Sequence, residues 1–210
     1  MTTGRPRQFD EATVLATVTR TFWDNGYHAT SIADIVEATG VHRNSLYATY
    51  GDKHQLFTAA LKAYIDEAGQ RFRDKLQHAD SPYAGLRDAL LHYSYVSATA
   101  SGPRGCLVTN TTIELRREDK DLTAQIRAGM KQITDMLRAA VEHGQAIGEI
   151  SPEIDPADAA LFLYSFGQGL RVTGRIARLA DLERTVDLAL RALYLQGSPG
   201  SDRRIGSGSA

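Results

Sequence analysis

The sequence predicts an all-α protein, with a small N-terminal unit of three helices joined by one long helix to a larger helical region. Three observations carry that expectation. Two capping patterns, Ser31-Ile32-Ala33-Asp34 and Asp52-Lys53-His54-Gln55, each open a run of apolar residues at helical spacing. Breaks at Gly40, Asp80-Ser81-Pro82, Ser101-Gly102-Pro103 and Gly148 to Pro152 divide the chain into helix-length pieces. The β-branched stretch from Gly105 to Leu115 is the one segment that suits a strand, and its place among helical neighbours favours a buried helix.

Asp10 caps the first helix, with Phe9 and Val14 placed as a hydrophobic staple, and Val14, Val18 and Phe22 form its apolar stripe. Trp23 and Tyr27 read as core residues. Ile32, Ile35 and Val36 mark the second helix, which Gly40 stops because glycine takes the left-handed conformation without steric cost. A third helix runs from about His42 to Ala48; Leu46 and Tyr50 turn inward, leaving His42, Arg43, Asn44 and Tyr47 outside. The long helix from Asp52 to about Gln77 carries Phe57, Leu61, Tyr64, Ala68, Phe72 and Leu76 on one face. Further stripes follow: Leu86, Leu90, Tyr93 and Ser97; Leu122, Ile126, Met130, Ile133, Leu137 and Val141; and Leu182, Val186, Ala189 and Leu193. Asp155-Pro156 opens the helix before the last, with proline at its first position. That helix holds Leu161, Tyr164, Phe166 and Val172 together with Gly167, Gly169 and Gly174, which suggests close backbone approach. Residues 197–210 form a Gly/Ser-rich tail, so the expected division is 1–51, 52–196 and 197–210.

Helix, glycine turn, then a polar helix is the pattern of a helix-turn-helix, whose second helix lies in the DNA major groove. The run from Ala29 to Phe57, AT-S-I-x-x-I-V-x-x-x-G-V-x-x-x-x-L-Y-x-x-Y-x-x-K-x-x-L-F, resembles the DNA-binding signature of TetR-type transcriptional regulators, as does Phe22-Trp23-Asp24-Asn25-Gly26-Tyr27 before it. Two positions depart from that pattern: His42 stands where serine is frequent, and Thr49 where histidine is usual. The Gly105-Cys106-x-x-x-Asn110 segment is similar to one found in a subset of the same regulators.

The resemblance implies a ligand-responsive regulator, most simply a repressor of double-stranded operator DNA. It also implies a homodimer built through the last two helices, near 156–176 and 181–196, with two recognition helices spaced to fit successive major grooves. A small-molecule effector in the larger domain would tilt the helix that starts at Asp52 and favour the released state. Arg43 and Asn44 are the best base readers and His42 a weaker one, since guanidinium pairs with guanine and amide with adenine. Thr30, Tyr47 and Lys53 suit phosphates, and Thr49 joins the same surface. Arg5 and Arg7 form a basic arm suited to a minor groove, or a solvated tail. Tyr64, Tyr93, Cys106, Thr109, Asn110, Tyr164 and Gln168 offer aromatic walls and a few polar groups for a planar or amphipathic effector, or else serve as core residues. Gly167 and Gly174 either meet near a dimer axis or pack inside one subunit.

Charge alone does not point to DNA. The net charge is -1, and the first 60 residues set five positive side chains against six negative ones. Placement is more informative: the positives sit in the arm, on the third helix and at the start of the fourth, where phosphate contacts need them. Hydrophobic residues make up 42% and charged residues 23%, a soluble globular balance with no span long enough for a membrane and no leader-like apolar run at the start. One cysteine permits a reducing cytoplasm. His28, His42, His54, His78, His92 and His143 are scattered without metal-ligand spacing, and no Gly-rich phosphate loop occurs, so no metal, cofactor or catalytic set is expected. The reading from another class is a helical ligand carrier, or a thiol enzyme using Cys106 and His92, with a vestigial helix-turn-helix. Cys106 is either a packing residue or a redox-sensitive thiol. Leu107 and Val108 favour burial, whereas Arg104 and the nearby helix start favour thiolate; packing is the preferred reading.

Overall fold

The computed structural model describes residues 9–95, 104–114 and 119–193. Nine helices lie within them: α1 (Glu11–Asn25), α2 (Ile32–Thr39), α3 (Arg43–Tyr50), α4 (Lys53–Gln77), α5 (Pro82–Tyr95), α6 (Leu107–Glu114), α7 (Lys120–Ala146), α8 (Pro156–Thr173) and α9 (Leu179–Arg191). Arg5, Arg7, Ser97 and the Gly/Ser-rich tail fall outside the described residues.

Local sequence sets most helix ends. Asp10 accepts from the Ala12 amide, and both capping boxes close, with Ser31 and Asp34 serving α2 and Asp52 and Gln55 serving α4. Gly40 ends α2 at φ 68°, in the left-handed region. Asp155 accepts from Ala157 and Asp158, with Pro156 at the first helical position of α8. Within the Gly105–Leu115 stretch, Leu107–Glu114 is helical, so its tertiary setting overrides β-branching. α8 ends three residues earlier than the sequence suggests, where the Gly174 amide bonds the Leu170 carbonyl.

Two apolar clusters hold the chain together. The first contains Val14, Val18, Phe22, Ile35 and Leu46 from the first three helices, yet it is completed by Leu56, Phe57, Ala60, Leu61 and Tyr64 of α4 and by Cys106, Leu107 and Leu122. Phe57 sits edge-on to Phe22, ring centroids 4.9 Å apart, and contacts Tyr27 at the same distance. The second cluster joins Phe72, Leu86, Leu90, Tyr93, Leu137, Val141, Leu163 and Leu170 with Leu182, Val186 and Leu190 of α9. In α9 it is Leu190, not Ala189, that continues the buried stripe. Along α7, Leu122, Ile133, Leu137 and Val141 are buried while Ile126 and Met130 stay half-buried; Ile126, Met130 and Ile133 border a cavity. Leu161 and Val172 of α8 belong to neither cluster; with Phe162 and with Leu188 of α9 they are exposed.

Candidate functional site

The polar face of α3 is where the sequence placed it. His42, Arg43, Asn44 and Thr49 are exposed, and Tyr47 is half-buried. Leu46 anchors the opposite face in the first cluster. His42 occupies the N-cap without a side-chain capping bond, so its ring is not committed to the helix end. The Arg43 guanidinium lies 5.0 Å from the centre of the Tyr47 ring, which holds it against the helix. Lys53, in the first turn of α4, stands 4.6 Å over the Tyr27 ring. Thr30 departs from expectation. It is buried, and its hydroxyl donates to the Gly26 carbonyl at 2.7 Å, so the side chain ties the α1–α2 turn instead of facing a phosphate.

A second constellation lies between α4, α5, α7 and α8. A cavity of about 40 Å³ is walled by Tyr64, Tyr93, Cys106, Tyr164 and Gln168, together with apolar residues that include Ile126 and Met130. Thr109 stands one layer back, its hydroxyl donating to Gln168 Oε1 at 3.0 Å. Asn110 does not reach the cavity, because its amide donates to the Arg104 carbonyl at 2.8 Å and closes the turn before α6. Arg171, which the sequence did not single out, enters from α8. Its Nη1 donates to Tyr64 Oη at 3.2 Å, and its guanidinium carbon lies 3.9 Å from the Tyr93 ring centre. Tyr64 in turn donates to Cys106 Sγ at 3.6 Å. Burial alone would push the Cys106 thiol up, but the Arg171 charge and bonds from Thr109 and Tyr64 outweigh it and hold the thiol below its ordinary value. Burial, with Tyr93 and Cys106 adding to it, pushes the Tyr164 phenol up to about 12.

The two constellations are joined through α6. At its start, the Gly105 carbonyl accepts from Trp23 Nε1 of α1 at 3.1 Å, and Arg104 pairs with Asp24. At its end, the Glu114 carboxylate accepts from the Tyr27 amide at 3.0 Å and the His28 amide at 2.7 Å. Gly26 has φ 83°, and a Cβ there would lie 3.0 Å from Glu114 Oε2, so glycine serves both the turn and the approach of the carboxylate. Beyond α6, His54 of α4 meets Asp119 at 2.7 Å. Among the described residues no group of three or more His, Cys, Asp or Glu could hold a metal ion, and no helix is long and apolar enough to cross a membrane.

Comparison with known proteins agrees with this architecture. Residues 14–60 match the family described as bacterial regulatory proteins, tetR family, and residues 82–193 match the tetracyclin repressor-like C-terminal domain. The chain belongs to the TetR family. It is 33% identical over 195 residues to the HTH-type transcriptional repressor ComR of Escherichia coli, with 91% of each chain covered. It is 29% identical to the uncharacterized HTH-type transcriptional regulator YezE of Bacillus subtilis, covering 90% of this chain and 99% of the relative. A cysteine mutant of the TetR family regulator CifR, solved with a 26-bp double-strand operator DNA, superposes with a TM-score of 0.80 at 30% identity, covering 90% of this chain and all of that one. Within the TetR architecture, sequence reasoning missed Arg171 and Glu114. The only sequence signal for Arg171 was a charge inside an apolar, glycine-containing helix; Glu114 was visible only as the first charge after an uncharged run.

Proposed function

We propose that the protein is a transcriptional repressor that binds operator DNA as a homodimer through α3 and is released by a small-molecule effector held between α4, α5, α7 and α8. The observation that carries this reading is the pairing of an exposed, polar α3 with a tyrosine-lined cavity, linked through α6 inside one TetR-type chain. Arg43 and Asn44 read bases, with His42 and Thr49 beside them. Tyr47 and Lys53 hold phosphates, Lys53 from a helix N-terminus that itself favours anions. The division at residues 51 and 52 gives the reading and sensing parts, and dimerisation uses α8 and α9. Leu161, Phe162, Val172 and Leu188 support that assembly, since an exposed apolar patch is costly unless a second copy covers it.

The effector need only prefer the conformation that does not fit DNA. Movement of Cys106 or Gln168 by a ligand shifts α6, and α6 carries the shift to the α1–α2 turn through Glu114. The test is selection of operator fragments by the full chain, followed by Arg43→Ala. That change should cost about 1–3 kcal/mol on the selected sequence and less on random DNA. Equal losses on both would remove Arg43 from base reading, and failure to select any sequence would remove the regulator reading itself.

A further inference from the structure

We propose that the cavity beside Arg171 receives a small aromatic carboxylate, its acid group on the guanidinium and its ring among the tyrosines. This names an effector class and so rests on the regulator reading, although binding itself can be tested without DNA.

Arg171 is an incompletely partnered cation. Arg171 keeps part of its surface accessible, but its Nε is fully sealed from solvent and has no hydrogen-bond partner. One bond goes to Tyr64, and the charge is stacked on Tyr93. The charged or chargeable groups that act most strongly on it are Cys106, Tyr64 and Tyr93, none of them a carboxylate. A guanidinium with a sealed, unpartnered Nε and no carboxylate among the groups that act most strongly on it is expensive, and its planar fork matches a carboxylate with two parallel hydrogen bonds. The Cys106 sulfur offsets part of the charge through space, with the Tyr64 hydroxyl bridging the two.

The walls define the rest of the ligand. Among the described residues Arg171 is the only cation lining the cavity, and Ile65, Ile126, Met130 and Ile133 line the side supplied by α4 and α7. A dianion would bury an unmatched charge there, so one acid group is the fit. Three tyrosine rings favour a flat aromatic body. The open space of about 40 Å³ accommodates about three waters. The ring must therefore displace side chains, and Met130, unbranched and adaptable, is the wall best able to yield.

The experiment titrates the purified full chain by calorimetry with three matched pairs: benzoate and benzamide, cinnamate and cinnamamide, 1-naphthoate and 1-naphthamide. At least one acid should bind, with its amide about tenfold weaker or worse, since only the acid forms charge-assisted bonds. Arg171→Met should weaken that acid by about 10- to 100-fold and leave the amide unchanged. Arg171→Lys keeps the charge but loses the fork, should fall between the two, and gives the readout if the methionine variant fails to fold. The proposal is overturned if no acid outbinds its amide, or if Arg171→Lys and a folded Arg171→Met bind the acid as the parent does. Operator release, measured separately, tests the regulator reading: an acid that binds without releasing DNA leaves the site in place and rejects its role as effector.

Discussion

Removing the Glu114 carboxylate tests the link between α6 and the DNA-reading helices. Its two oxygens accept from the Tyr27 and His28 amides at 3.0 and 2.7 Å, so one carboxylate satisfies two donors in the α1–α2 turn. A hydrogen bond to a charged group contributes about 1.5–3 kcal/mol when shielded. The Tyr27 bond is partly buried and the His28 bond is exposed, so the second counts for less and the pair for about 2 kcal/mol. Glu114→Ala should therefore lower Tm by about 4–8 °C in a chain of this size. Glu114→Gln, which keeps an acceptor, should lose about half as much. Thermal unfolding followed by circular dichroism at one fixed protein concentration measures both, because an assembly makes Tm concentration-dependent. The functional signature is separate: Glu114→Ala should keep operator binding but need more effector for release. A Tm for Glu114→Ala within about 1 °C of the parent, with an unchanged effector response, would refute the clasp.

Three further outcomes are expected. Asp34 is held below the ordinary carboxylate range, chiefly by the Ser31 amide and then by its hydroxyl. Its contribution is thus present above about pH 4 and is lost as pH falls through the depressed folded value, so Asp34→Asn should flatten the acid side of a Tm-against-pH curve; an unchanged slope would show that the capping box contributes nothing to acid stability. A Cβ at Gly167 would lie 2.9 Å from the Tyr93 ring, so Gly167→Ala should cost about 1–3 kcal/mol and push that ring toward the cavity, weakening effector binding in the same calorimetric titration. Phe162→Glu combined with Leu188→Glu places charge on the exposed apolar face of α8 and α9; sedimentation should show monomers with little operator affinity, and dimers of parental strength would place the interface elsewhere.

Local chemistry explains what was legible in the sequence. The two capping boxes, Gly40 and Asp155-Pro156 each fix a helix end within a few residues of chain, so the first four helices and α8 could be located by spacing alone. The aromatic cavity residues were recognisable as a set because the tyrosines carry both apolar area and a polar tip. Distance along the chain hid the rest. Arg171 and Tyr64 are 107 residues apart, and Glu114 is 87 residues from Tyr27, so neither pairing leaves a periodic trace. Thr30 misled for the opposite reason: a hydroxyl near a helix start suits either a phosphate or a local carbonyl, and only the turn geometry selects Gly26. Gly167 packs against Tyr93 within the subunit, a close approach that its place in an apolar helix suggested without naming the neighbour.

The composition of the first apolar cluster has a practical consequence for grafting. A fragment cut after residue 51 would carry the recognition helix but leave Phe22, Ile35 and Leu46 without Leu56, Phe57, Leu61, Leu107 and Leu122 against them. Such a fragment is a poor donor for a chimera, because its apolar surface becomes a sticky face once the scaffold is gone. The exchangeable unit is the exposed skin of α3. Repainting His42, Arg43, Asn44 and Thr49 onto a related scaffold, or changing them in place, would retarget the reader while every core contact stays native.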